Sequence, residues 1–344
     1  MIIMKKFKII LSILVICFMF ATIVACGNIE KPTSADTNKV EGSKTETAKA
    51  VKDDAIYYTI GMNINIPYWQ DHKKGLEAAA AELGVKAVFT GENGNDAANQ
   101  INIFEQVLAK KPAGILVSPI DPEGMIPAIN KAIEAGVPVV CIDSDAPKSK
   151  RLTYFGTGNY EAGYAAADIL AKAIGEKGEV GLLTIPGIFC LDERQRGFEQ
   201  RIKDKYSNIK LVSVQNDEGD PTKAASVTSQ MLQAKPNLVG LFGDDAASGV
   251  GAAAALREGN KLGKIKVVAF DKDSAVLDLV EQGSIEATMV QRTFTMSYYA
   301  LKFLNDYNNK SVKMATDMKG INPLPQLVDT GIMVVDKESA KKFK

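Results

Sequence analysis

Val137-Pro138-Val139-Val140-Cys141-Ile142 is an unbroken apolar run, and it stops at Asp143-Ser144-Asp145. A run without polar alternation is what a parallel strand covered on both faces looks like. Ala135-Gly136 just before it punctuates a helix end, because glycine accepts the left-handed turn that closes a helix C-terminus. The stretch reads as helix, tight turn, buried strand and polar strand end. The same unit recurs outward in both directions. Strands are expected at Tyr57–Gly61, Ala87–Thr90, Gly114–Ser118, Thr153–Gly156, Val180–Thr184, Lys210–Val214, Leu238–Phe242, Lys266–Phe270, Ala287–Gln291 and Gly331–Val334. Helices with apolar residues at i, i+3 and i+4 fall between them at Trp69–Leu83, Ala97–Lys110, Gly124–Ala135, Tyr160–Ile174 and Thr222–Ala234. Repeated β-α alternation predicts a doubly wound α/β fold. About eleven strands exceed what one such sheet usually carries, so two Rossmann-like lobes are expected.

In open α/β sheets, ligands bind beyond the carboxyl ends of the strands. Those ends are polar throughout. Besides Asp143, the apolar runs lead into Ser118-Pro119, Asp244-Asp245, Asp271 and Gln291-Arg292, and the first strand leads into Asn63 and then Tyr68-Trp69. A single strand-end carboxylate also serves as a helix N-cap, and an aromatic at a helix start also serves as a staple into the core. Several such groups on one cleft suit vicinal hydroxyls. Carboxylates accept hydroxyl protons, a guanidinium donates in a planar fork, and an aromatic ring covers the C–H face of a sugar.

The start of the chain reads as a processing segment. Lys5, Lys6 and Lys8 precede an apolar run from Ile9 to Ala25, and Cys26 follows directly. This is the layout of a secretory signal. The cysteine makes it look like a lipobox, with residues 1–25 removed and Cys26 carrying lipid. An uncleaved membrane anchor is the alternative. Asn28 to Asp54 holds no aromatic residue and reads as a flexible tether within 26–54. Cys141 and Cys190 lie in apolar surroundings as free thiols, with a disulfide between them as the alternative.

Composition narrows the function. The 344 residues carry a formal net charge of zero, which argues against nucleic acid as a partner. A single histidine, His72, leaves little for zinc or for Ser-His and Cys-His catalysis, and no cofactor or metal is expected. Gly249-Val250-Gly251-Ala252-Ala253-Ala254 matches a dinucleotide fingerprint but sits within a helical stretch, where it reads as close helix packing.

Six ordered segments carry a resemblance to the ribose/galactose-type, or type I, periplasmic sugar-binding proteins. They are Ile66-Pro67-Tyr68-Trp69 with Lys74-Gly75, Gly114 to Pro119, Ala135 to Val140, Arg194-Gln195-Arg196-Gly197-Phe198 as a helix start, Val267 to Asp271, and Ala287 to Gln291. The resemblance implies a substrate-binding lipoprotein of an ABC importer, not an enzyme, that captures a monosaccharide or related polyol by hinge closure. It implies ligand contacts at Tyr68, Trp69, Asp143, Arg194, Asp245, Asp271 and Gln291, to which the strand ends add Asn63 and Ser118. It also implies lobe crossings near Gly156–Gly158, Gln291–Thr293 and Leu327–Thr330, and hence lobes of 55–157 plus 292–327 and 158–291 plus 328–344. The implied partners are a permease and its ATPase, for a monomer anchored by lipid to the outer face of the cell membrane, or periplasmic if the cell is Gram-negative. Departures at Ser144 and in Asp217-Glu218-Gly219-Asp220, where relatives place an arginine and an aromatic, point away from ribose itself. The alternative is a nucleoside or furanosyl signal delivered to a sensor. A sugar-responsive repressor would carry a helix-turn-helix where this chain has its signal and tether.

Overall fold

The computed structural model describes residues 55–311 and 324–343; the signal segment, Cys26 and the tether lie outside the described residues. The elements run β1 (Ile56–Gly61), α1 (Trp69–Leu83), β2 (Lys86–Gly91), α2 (Ala97–Ala109), β3 (Gly114–Val117), α3 (Ile126–Glu134), β4 (Val139–Ile142) and β5 (Tyr154–Gly156). They continue as α4 (Asn159–Ala173), β6 (Gly178–Thr184), α5 (Phe189–Lys205), β7 (Ile209–Asn216), α6 (Pro221–Ala234), β8 (Leu238–Gly243), α7 (Ser248–Glu258) and β9 (Lys266–Phe270). The last are α8 (Ser274–Glu281), β10 (Ala287–Gln291), α9 (Thr293–Asn308), β11 (Leu327–Asp329) and β12 (Ile332–Asp336).

These strands form two six-stranded sheets, in the orders β11-β5-β4-β3-β1-β2 and β12-β10-β9-β8-β6-β7. Every pairing is parallel except β10 with β12. The chain passes between the sheets after β5, after β10 and after β11, so three segments form the hinge of a type I periplasmic-binding-protein fold. β11 is a strand that the sequence reading treated only as a crossing. It pairs through Leu327, Val328 and Asp329 with β5, which moves the last crossing from 327 to 330–331. β4 starts at Val139, two residues later than expected, because Pro138 has no N–H to give to a ladder.

α5 also corrects an expectation. It begins at Phe189, so Arg194 sits in its second turn and not at a helix start. The reason for the Arg-x-x-Gly spacing lies in packing. A Cβ on Gly197 would stand 2.0 Å from the carbonyl oxygen of Tyr160, and one on Gly163 would stand 1.9 Å from that of Arg194. The two helices therefore touch backbone to backbone, which fixes Arg194 relative to α4. α1 and α9 cross in the same way, with Gly75 against the Phe294 carbonyl. Cys141 and Cys190 are free and buried, so they are not paired with each other. Among the described residues, no helix is long and apolar enough to cross a membrane.

Candidate functional site

The ladder of each sheet runs one residue past its strands, and that residue is polar. The Ser118 N–H donates to Ile60 (3.0 Å), Asp143 to Phe155 (3.0 Å), Asp217 to Thr184 (3.1 Å), Asp244 to Leu183 (3.1 Å) and Asp271 to Met289 (2.8 Å). Asp143 and Asp271 then turn with φ of 63° and 64°, a left-handed conformation that aspartate tolerates better than most residues. The backbone thus fixes these side chains before any of them meets a partner.

Two strand ends of the first sheet and two of the second are joined by one hydrogen-bond chain. Ser118 Oγ donates to Asp143 Oδ2 at 2.9 Å, and the Tyr68 hydroxyl donates to Asp143 Oδ1. Gln291 Nε2 donates both to the Tyr68 hydroxyl (3.1 Å) and to Asp271 Oδ1 (3.0 Å), while its Oε1 accepts from Thr157 Oγ1 (2.9 Å). Tyr68 belongs to the first lobe and Gln291 ends β10 of the second, so this chain spans the cleft. Two further contacts cross between the lobes. Asn95 Nδ2 donates to the Glu218 carbonyl at 3.3 Å, and Lys272 pairs with Asp71. Burial alone would raise the Asp71 carboxyl, but the Lys272 hydrogen bond and charge hold it below its ordinary value.

Arg194 is 2% exposed and lies 3.8 Å above the Phe270 ring centre. Its Nε donates to Asn159 Oδ1 (2.9 Å) and its Nη1 to the Asp244 carbonyl (2.7 Å), but its Nη2 has no hydrogen-bond partner. Asp245 complements it. Its Oδ1 accepts the N–H groups of Ala247 (2.7 Å) and Ser248 (3.0 Å) ahead of α7, while its Oδ2 accepts from no N–H or alcohol group and the carboxylate stands within hydrogen-bond reach of the protonated Asp217. Arg194, Asp245 and Trp69, whose Nε1 is also without a partner, all line the cleft.

Acids outnumber cations here, and their protonation reflects it. Burial pushes Asp271 up to about 7, against the charge of Arg194 and the hydrogen bond from Gln291. Burial and the Asp245 charge push Asp217 up to about 8 and Asp244 well above the carboxylate range. Asp217 accepts from Ser248 Oγ (2.6 Å) and the Gly219 N–H (3.1 Å). Burial also holds His72 down to about 4, neutral against Ser297 Oγ at 2.8 Å, and raises the Cys190 thiol to about 12. A neutral imidazole bound to a serine of α9 and an inert thiol do not form a nucleophile–base pair. Among the described residues, no group of three or more His, Cys, Asp or Glu side chains is arranged to hold a metal ion.

The cleft has a volume of about 520 Å³. Between its polar groups, the walls are Met62, Ile66 and Pro67 from the first lobe and Ile188, Leu191, Val250 and Val290 from the second. Such a cavity, apolar with a few converging polar groups, is the usual form of a small-molecule site.

The profile of the "Periplasmic binding protein domain" matches residues 56–311. The chain belongs to that family. This periplasmic binding protein is 28% identical over 253 residues to the ribose import binding protein of Bacillus subtilis, covering 72% of this chain and 81% of that one. It superposes on a sugar-binding protein of a sugar ABC transporter from Bacillus halodurans with a TM-score of 0.76 and 36% identity, covering 85% of this chain and 100% of that one. An arabinose-binding protein from Geobacillus stearothermophilus gives a TM-score of 0.74 at 37% identity, covering 85% and 99%. These relatives are binding proteins of transport systems, and the present periplasmic binding protein is likewise not an enzyme.

Of the residues expected in its site, Asn63, Tyr68, Trp69, Asp143, Arg194, Asp245, Asp271 and Gln291 all line the cleft. Ser118 does not; it is fully buried behind Asp143 and orients that carboxylate. Trp69 is only 1% exposed and packs 4.7 Å from His72 and 5.9 Å from Phe89, so most of its ring belongs to the core of the first lobe. Asn159 and Thr157, which hold Arg194 and Gln291, were not anticipated. Their only signal in the sequence is their position just after β5, at a crossing. Asp145, by contrast, pairs bidentately with buried Arg151 away from the cleft.

Proposed function

We propose that this protein is the ligand-capturing lipoprotein of an ABC importer, binding a monosaccharide or related polyol between its lobes. The observation that carries this reading is Arg194 Nη2, a buried donor without a partner on a residue of a cleft that also holds the carboxylates of Asp245 and Asp271. A buried donor left unpaired is costly unless a ligand satisfies it. A hydroxyl can accept from it and donate to a carboxylate. The names of the relatives, a ribose import binding protein and an arabinose-binding protein, support a sugar as the source of that hydroxyl.

In this reading, Arg194, Asp245 and Asp271 bind ring hydroxyls, Asn63 reaches in from the other lobe, and Tyr68, backed by the buried Trp69, covers an apolar face. Asp143 and Gln291 act through the chain that ties the lobes together. Ligand bridging both lobes favours the closed form. Among the described residues, the lobes comprise 55–157 with 292–311 and 324–329, and 158–291 with 332–343. Residues 1–25 act as the export signal, Cys26 carries the lipid, and the monomer works at the outer membrane face with a permease and its ATPase.

The test is a titration of the purified protein with pentoses, hexoses and polyols, read by calorimetry and by fluorescence of Trp69, the single tryptophan. Saturable binding of one monosaccharide, weakened in Arg194→Ala by about 2–5 kcal/mol, is expected. Unchanged binding in that variant would place the site elsewhere, and silence across the panel with folded protein would remove the sugar reading.

A further inference from the structure

The cleft is longer than the polar site within it. In the second sheet the order β10-β9-β8-β6-β7 leads away from the hinge, and each of these strand ends gives a residue to the cleft. Gln291, Asp271 and Asp245 follow β10, β9 and β8, and Arg194 lies over the Phe270 ring of β9. Neighbouring strands are about 4.8 Å apart, so these groups span about 10 Å, the width of one hydroxylated ring. The lining then continues for two more strands, about another 10 Å, through Ile185 and Ile188 after β6 and Gly219 and Pro221 after β7. This outer part is apolar because the acids of its loop are engaged elsewhere. Asp217 is fully buried and accepts from Ser248, Glu218 pairs with Lys223 at 3.4 Å, and Asp220 caps α6 through the Lys223 N–H. Gly219 adds no side chain, and Ile185 and Ile188 pack with Met62 and Ile66 of the first lobe in one apolar cluster. The bond from Asn95 to the Glu218 carbonyl closes the far end. At about 30 Å³ per water, the 520 Å³ cleft has room for about 17 waters, more than the roughly 12 carbon and oxygen atoms of a hexose displace.

We infer that the cleft takes a glycoside: a sugar ring held by Arg194, Asp245 and Asp271, bearing a compact apolar or planar aglycone that lies between Ile66, Ile185, Ile188 and Pro221. The inference rests on the sugar reading above and narrows its substrate class. A second sugar in that place would set hydroxyls against aliphatic side chains, which is costly. An aryl or alkyl group there gains by leaving water. Burying a group the size of a phenyl ring favours the glycoside over its free sugar by about 10- to 100-fold. An O-glycoside and a nucleoside share this chemistry.

Matched pairs test it by calorimetry: the phenyl glycosides, in both anomers, of D-galactose, D-glucose and L-arabinose against the free sugars, and uridine against D-ribose. The wild-type protein is expected to bind one phenyl glycoside, or uridine, about 10- to 100-fold more tightly than the matching free sugar. The pair that shows the preference tells an O-glycoside from a nucleoside. In Ile185→Phe the added ring fills the outer part, so the ratio should fall towards one while the free sugar binds as before. Free sugars that bind the wild type as tightly as all their glycosides would overturn the inference and leave the sugar reading standing. A ratio unchanged in the variant would also overturn it. Should the variant melt early, the wild-type ratios decide alone. Silence across free sugars, glycosides and uridine alike removes the sugar reading and this inference with it.

Discussion

Replacing Asp271 with Asn should stabilise the ligand-free protein at alkaline pH while weakening ligand capture. Asp271 is 7% exposed and is pushed up to about 7, with burial as the largest cause. In the unfolded chain the same carboxyl titrates near its ordinary 3.8. Between those values the folded protein holds a proton that the unfolded chain has lost. The stability this group contributes is therefore complete below about pH 4 and disappears as pH rises through about 7. Three pKa units correspond to about 4 kcal/mol. For a chain of this size, that is a melting-point change of roughly 8 °C. Asn cannot ionise, yet it can still accept from Gln291 Nε2. The assay is thermal unfolding of both proteins without ligand, from pH 5 to 8.5. The melting point of Asp271→Asn relative to wild type should climb by several degrees across that window. A difference that stays flat with pH would refute the argument, because it would mean the buried carboxyl ionises without penalty.

Two further outcomes follow from packing and charge. Gly197→Ala places a methyl group 2.0 Å from the Tyr160 carbonyl, so it should cost about 3 kcal/mol in denaturant unfolding and weaken ligand binding by displacing Arg194; a neutral result would mean α4 and α5 separate freely. Lys272→Ala removes a partly exposed ion pair across the cleft, so ligand release should speed up by at most about fivefold at low salt, with the effect fading above roughly 0.5 M; stopped-flow rates that ignore salt would exclude a role for the pair.

Much of this could be read from residue order. Solid apolar runs such as Val139 to Ile142 and Val267 to Phe270 specified buried parallel strands, and their number required two sheets. The polar residue after each run marked the cleft, because doubly wound sheets put their strand ends there. That is why Asp143, Asp245, Asp271 and Gln291 could be expected on the cleft wall, where they lie. β11 was missed since three residues without an apolar run carry no strand signal; Leu327 to Asp329 become a strand only by pairing with β5.

What the tertiary structure alone decided is how each polar atom is occupied. Tyr68 meets Asp143 across 75 residues and Gln291 across 223, and Asn159 reaches Arg194 across 35. No local spacing encodes such meetings. They depend on where separately folded elements stop, to within the few tenths of an ångström that make or break a hydrogen bond. The sequence by itself determined that this chain has a cleft lined with carboxylates, an amide and a guanidinium. Only the folded arrangement decided that Asp143 and Gln291 are paired through Tyr68, that Trp69 faces mostly inward, and that Arg194 Nη2 is buried without a partner. The physical reason is that side-chain types are fixed residue by residue, whereas hydrogen-bond satisfaction belongs to the packed whole.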